Sequence, residues 1–358
     1  MYGKKRPKQL IWSVIFSLFI CISCTEESNL KSNFHKNVVI CGETQGTTYN
    51  IIISEAHSTV NKESLDSIFL HFDNVLSTYN NSSVISILNK SIDPIIVDDN
   101  SGYFRECFSK SQLIFNQTNG YFDPSVFPLV KGWGFMNGIP SPLTQYEVDS
   151  ILLYVDFTVG NLYDITFKNS NIYFQKNNPN YMMDFNSIAQ GFSVDIIDRF
   201  LSSKGYLNYY IEVGGEIIVR GKNREGFNWR IGIDVPKENL EERSIENILH
   251  ISDKAIATSG NYRNFYIKNG EKYVHSLNPK TGFPVNNTLL SVTVVAESCS
   301  LADGYATAFM VMGREETIDF IRKNSNLNID VYMLYEDEAG NIKRSMSDGF
   351  LKYILYKN

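Results

Sequence analysis

Histidine and cysteine are both scarce in this chain, five of each among 358 residues. Cys21 and Cys24 close an N-terminal apolar stretch, which leaves Cys41, Cys107 and Cys299 far apart. Three widely separated thiols make neither a disulfide framework nor a Cys-x-x-Cys zinc site, and they read as small buried apolar side chains. Basic charge is short as well: 33 Lys and Arg stand against 39 Asp and Glu. Residues 1–23 hold four of the basic side chains and no acidic one, so the rest carries 29 against 39. Such a chain offers no basic face to a phosphate backbone, and nucleic acid is excluded as a partner. An anionic ligand is still admissible through a metal ion or backbone N–H groups. Long apolar runs are missing too; Ile11 to Ile22 is too short for a membrane span. There is no internal repeat and no low-complexity tract.

What is present begins with an address. Lys4-Lys5-Arg6-Pro7-Lys8 is a positive segment, and the apolar stretch after it ends at Cys21-Ile22-Ser23-Cys24. A small residue before a cysteine is similar to a lipoprotein cleavage site, with Cys24 as the lipidated new N-terminus. The division expected is a signal peptide over 1–23, a polar linker over 24–37 and one folded domain over 38–358. That places the protein outside the cytoplasm, on a membrane through its lipid.

The remainder is 43% hydrophobic and 13% aromatic across the whole chain, enough for a sizeable core. Apolar spacing predicts helices over 62–76, 101–118, 141–154, 188–204 and 298–312, the last capped by Gly313. Strands are expected at 38–41, 48–53, 162–175 as a hairpin, 209–213, 216–219, 229–235, 256–259, 264–268, 290–295, 332–335 and 349–356. Residues 121–138 read as a loop. Strands and helices mix without a βαβ rhythm, so the class is α+β, with mixed sheets, packed helices and a ligand cleft between subdomains.

The polar residues cluster in a few segments. Asp303 and Thr307 are one helical turn apart and share a face; carboxylate and hydroxyl oxygens suit Mg²⁺ rather than Zn²⁺. Taken alone, they also read as a solvated Asp and a Thr bonded to its own helix. Ser187 opens a helix after Asp184, as an ordinary cap or as part of an anion or cation site. Asp123 precedes Pro124 and is therefore held extended. Tyr79, Trp133 and Phe135 are aromatics near loop signals. Gly42 to Thr48 is a polar, Gly-bracketed loop. His275 is the one histidine inside a dense polar run, Tyr273 to Gly282, whose Asn278-Pro279-Lys280-Thr281-Gly282 is turn-forming.

In order, Gly46-Thr47-Thr48-Tyr49, Ser77-Thr78-Tyr79, Gly120 to Pro124, Lys131 to Phe135, Asp184 to Asp195, Val213 to Glu216, Ala257 to Gly260, His275 to Gly282 and Ala302 to Thr307 resemble the ApbE-like flavin transferases. The resemblance implies a Mg²⁺-dependent, often lipid-anchored enzyme. Such an enzyme moves FMN from FAD to a threonine or serine hydroxyl of an acceptor flavoprotein, releasing AMP. By position it implies Asp303, Thr307 and the Ser187 carbonyl as metal ligands and His275 as the active-site histidine. Tyr79 matches an aromatic that stacks on flavin. Gln45, Tyr121, Phe122, Asp123, Asp184, Gln190 and Leu277 match positions lining FAD. Gln190 stands where many relatives carry Lys, Gln45 replaces a common Met and Asn278 a common Asp. Two rivals share these residues: a Mg²⁺-dependent FAD pyrophosphatase giving FMN and AMP, and a non-catalytic flavin-binding lipoprotein.

Overall fold

The structure, a computed structural model, describes residues 37–55, 59–136, 142–235, 245–261, 265–268 and 271–354. The expected signal peptide, the linker up to residue 36 and Cys24 lie outside the described residues.

The observed class is α+β. In chain order the elements are β1 (Val38–Thr44), β2 (Thr47–Ile53), α1 (Lys62–Leu76), α2 (Val84–Lys90), β3 (Ile95–Asp98) and α3 (Tyr103–Gln117). A 3₁₀ turn (Pro124–Val126) leads into α4 (Phe127–Gly132), then α5 (Gln145–Leu152), β4 (Tyr163–Lys168), β5 (Asn171–Lys176) and α6 (Asn186–Ser203). There follow β6 (Tyr209–Val213), β7 (Glu216–Arg220), β8 (Trp229–Asp234), β9 (Ile245–Ile251), β10 (Lys254–Gly260), β11 (Phe265–Lys268), β12 (Glu271–Val274) and β13 (Leu289–Ala296). The chain continues with α7 (Cys299–Met312), α8 (Arg314–Lys323), β14 (Asp330–Glu336), β15 (Ile342–Met346) and a 3₁₀ segment (Asp348–Tyr353).

One antiparallel sheet organises the domain, in the order β1-β2-β6-β7-β10-β13-β14-β15. Its strands β13 and β14 are buried on both faces, and the period of two divides their side chains. Val294, Val331 and Met333 join the core that includes α3, α6 and α7, whereas Val295, Tyr332 and Leu334 face β8 and β9. Helix α6 packs along this sheet with Ile188, Phe192, Ile197 and Leu201 fully buried. A separate small core of Leu129, Trp133, Val148 and Leu277 ties α4 and α5 to the loop after β12.

Several expectations are corrected. The strand expected over 349–356 is a 3₁₀ helix over Asp348–Tyr353, with Phe350 and Tyr353 buried on its three-residue period; residues 355 and 356 lie outside the described residues. The loop over 121–138 contains α4. The short helix starts at Gln145 rather than Ser141, because Thr144 and Glu147 form a capping box; Ser141 itself lies outside the described residues. Cys41 is exposed, not buried.

Candidate active site

The site grows from the crossing of α6 and α7. Asp195, on α6, reaches across to cap α7: Cys299 N donates to Oδ1 at 2.7 Å and Ser300 N to Oδ2 at 3.1 Å. The first N–H groups of a helix have no partner within it, so this carboxylate fixes where α7 begins. Gly191 permits the approach. A Cβ there would lie 2.4 Å from the Cys299 carbonyl oxygen and 2.8 Å from Asp303 Cβ. Any larger residue drives the helices apart.

That approach delivers Asp303 to the first turns of α6. Its Oδ2 accepts the Gly191 N–H at 3.0 Å. Within a helix, the Gly191 N–H would be directed at the Ser187 carbonyl. The Asp303 carboxylate therefore shares a donor with the turn that carries Ser187. Thr307 follows one turn along α7 and is half-buried. Burial, reinforced by the Asp195 charge, pushes the Asp303 carboxyl up to about 7, against the Gly191 hydrogen bond.

Behind α6 stand two hairpin turns. Gln45 and Gly46, both with positive φ (51° and 73°), make the tight turn of β1–β2. At Gly214 (φ 63°), a Cβ would meet Gln190 Nε2 at 2.7 Å and Thr47 Cγ2 at 2.9 Å. The β6–β7 turn, the β1–β2 turn and the start of α6 are thus in direct contact. The structure gathers Gln45, Ser187, Gln190, Asp303 and Thr307 into this one region. The Gln45 Nε2 atom is buried with no hydrogen-bond partner among the described residues.

A second group lies just upstream on the same segment. Asp184 N donates to Pro124 O at 2.8 Å, and the Asp184 carboxylate accepts from Asn186 N (2.9 Å) and Nδ2 (3.1 Å). Burial raises its carboxyl to about 6. Tyr79 is close enough to feel that charge, yet its side chain is 61% exposed, a ring left open to solvent beside a buried carboxylate. Asp123 is turned inward: it accepts from Ser125 N at 2.7 Å and caps the 3₁₀ turn, and burial lifts it to about 7. Phe122 is core, under Gly304.

The third group is the loop after β12. His275 is exposed at its start. Ser276 Oγ donates to Asn261 Oδ1 at 2.6 Å, tying the loop to the end of β10. Gly282 N donates to Asn278 O at 2.8 Å, and Trp133 Nε1 donates to Gly282 O at 2.8 Å. Trp133 is therefore a structural clamp. The Leu277 side chain is buried in that small core, so Phe122 and Leu277 can offer a ligand little beyond backbone. Lys280 Nζ sits 3.5 Å over the Tyr121 ring, and Tyr121 bonds Glu316 of α8, which holds its hydroxyl near 12.

Two carboxylates escaped the sequence reading as participants. Asp195 looked like one more helix residue. Glu216 followed a Gly-Gly turn and read as strand. It is 8% exposed, its Oε2 has no hydrogen-bond partner among the described residues, and burial with the Asp303 charge raises its carboxyl far above the ordinary range. A buried acid after a tight turn is the only local signal.

Among the described residues, no group of three His, Cys, Asp or Glu side chains forms a metal cluster. The set here is of another kind, one carboxylate with a hydroxyl and a carbonyl, all hard oxygens suited to Mg²⁺. A cavity of about 530 Å³ lies elsewhere, against α8 and β14. Four of its charged lining residues pair with one another, Lys352 with Asp330 and Lys254 with Glu297.

Comparison with known proteins points the same way. Residues 45–333 match the ApbE family model. The FAD:protein FMN transferase of Vibrio cholerae serotype O1 is 33% identical, covering 89% of this chain and 93% of that protein. That of Escherichia coli strain K12 is 29% identical over 91% of both. Among solved structures, the flavin transferase ApbE from Vibrio cholerae superposes with a TM-score of 0.75 at 31% identity, covering 89% of this chain and 99% of that one. The apo flavinyl transferase ApbE of Pseudomonas stutzeri gives 0.76 at 26% identity, covering 89% and 96%.

Proposed function

The chain belongs to the ApbE family and is a flavin transferase, and from that premise we propose a Mg²⁺-dependent transfer of FMN from FAD to a Thr or Ser hydroxyl of an acceptor protein. The observation that carries the reading is the Gly191 N–H held by Asp303 Oδ2, which joins the carboxylate to the Ser187 turn. Asp303, Thr307 and the Ser187 carbonyl would hold the ion, which when bound neutralises charge on the pyrophosphate oxygens.

The chain's own residues do the rest. Tyr79 offers an open ring for flavin stacking. Asp184, Gln45 and Gln190 supply polar groups for FAD, and the Gln45 amide, unpartnered among the described residues, is a donor in search of an acceptor. The acceptor hydroxyl attacks the FMN phosphorus, the P–O–P bond opens, and AMP leaves with the bridging oxygen. His275, exposed on a clamped loop, is the group we assign to receive the hydroxyl proton. Transfer then takes place outside the cytoplasm, with the enzyme on a lipid at Cys24, a reading supported by Lys4–Lys8 and the apolar stretch before Cys24.

The test is incubation with FAD and Mg²⁺, with and without an acceptor bearing a flavinylation threonine. Transfer predicts an acceptor heavier by one FMN. AMP released equally fast without acceptor, and no covalent flavin, would assign the protein to hydrolysis instead.

A further inference from the structure

We propose that Glu216 is a further acidic member of the cation site, facing Asp303 and binding the ion directly or through a water. The inference rests on the reading of Asp303 as a metal ligand and adds a residue to it.

The placement follows from contacts already described. Gly214 touches Gln190, and Gly191, next to Gln190, touches Asp303. Ile217, next to Glu216, accepts the Cys299 Sγ–H at 3.5 Å, which sets β7 against the start of α7. On β7, Glu216 shares its face with Ile218, and Ile218 packs in the core that holds Cys299 and Val194 of α6. The Glu216 side chain therefore points into the wedge between the sheet, α6 and α7, where Asp303 lies.

Its chemistry there is unusual. Oε2 is buried and accepts no hydrogen bond from the described residues. Asp303 and Glu212 both bear on it as like charges. A buried carboxylate is normally paired or ligated. Lys110, on α3, is held by Asp195 and Ser300. A divalent cation between Glu216 and Asp303 satisfies the empty oxygen and cancels the repulsion. The alternative occupant of the space is one proton shared by the two acids.

The deciding experiment measures Mn²⁺ binding by electron paramagnetic resonance on flavin-free protein, as wild type, Glu216→Gln, Glu216→Asp and Asp303→Asn. Gln keeps the shape of Glu216 and removes its charge. Loss of a supporting carboxylate typically weakens metal affinity about 10–100-fold. The expected result is a loss of that size for Glu216→Gln, a smaller loss for Glu216→Asp, and the largest for Asp303→Asn. Thermal melts with and without Mg²⁺ give a second readout: the Mg²⁺-dependent rise in Tm should shrink in Glu216→Gln. If Glu216→Gln binds Mn²⁺ as wild type does while Asp303→Asn loses it, the Glu216 proposal falls and the Asp303 reading stands. If wild type itself binds no Mn²⁺, both fall.

Discussion

Replacing Gly191 with alanine should damage stability and activity together. The new Cβ would sit 2.4 Å from the Cys299 oxygen, 2.7 Å from its carbonyl carbon and 2.8 Å from Asp303 Cβ. Two of these three atoms are backbone, so rotating a side chain cannot relieve the contact. Ordinary packing requires α6 and α7 to separate locally by about 1 Å. Overpacking of this kind costs about 1–3 kcal/mol. Moving Asp303 away also weakens its bond from Gly191 N, a charge-assisted bond of about 1.5–3 kcal/mol. Alanine returns about 1 kcal/mol in helix propensity. The net expectation is a loss of about 2–4 kcal/mol, read as a lower denaturant midpoint at constant slope. Flavin transfer should fall further than the unfolded fraction explains, because the separation opens between Ser187 and Asp303. Gly232→Ala is the control: its Cβ would meet Ile245 at 3.6 Å, ordinary contact, and its change should stay within about 0.5 kcal/mol. A Gly191→Ala protein as stable and as active as wild type would refute the close crossing of α6 and α7.

Other expectations follow from the same geometry. Asp123 and Asp184 have folded-state carboxyls near 7 and 6, above the unfolded value of 3.8. The folded chain therefore holds extra protons between about pH 4 and pH 7, so these groups make stability fall as pH rises through that window and level off above it. At 1.36 kcal/mol per unit, the Asp123 contribution is on the order of 4 kcal/mol, and Asp123→Asn should flatten the denaturant-midpoint profile; an unchanged profile contradicts the assignment. Tyr79→Ala should raise the KM for FAD roughly fivefold, from about 1 kcal/mol of lost stacking, with kcat nearly unchanged, while Tyr79→Phe behaves as wild type; steady-state kinetics separate these. Cys24→Ser should abolish fatty-acid labelling and release the protein from membranes on fractionation. Labelling that persists would discard the lipoprotein reading.

Much of the fold was legible because its long helices repeat apolar residues at helical spacing. Leu65, Phe69, Phe72 and Leu76 mark α1, and Ile188, Phe192, Ile196 and Ile197 mark α6. The strands expected at 209–213 and 216–219 were equally plain, on either side of Gly214 and Gly215. Helix α8 was missed since Gly313 reads as a terminus; it ends α7 and also begins α8. Strand β9 was missed because Glu246, Asn247 and His250 interrupt its apolar pattern, which only pairing with β8 completes. In the site, Asp303 and Thr307 were legible as one helix face. Glu216 and Asp195 were not, because their roles arise where α6, α7 and the sheet converge, and local spacing carries no trace of that meeting. Phe122 and Leu277 occupy the expected segments, but their side chains fill core.

With Asp303 holding the ion, FAD cleavage and FMN attachment are coupled. The direct measurement is a single-turnover reaction with FAD, Mg²⁺ and acceptor, following AMP by chromatography and acceptor-bound FMN by intact mass. One AMP should appear for each FMN attached in wild type, with neither formed in Asp303→Asn or after chelation of the metal. AMP and acceptor-bound FMN formed by Asp303→Asn at the wild-type rate would contradict the claim.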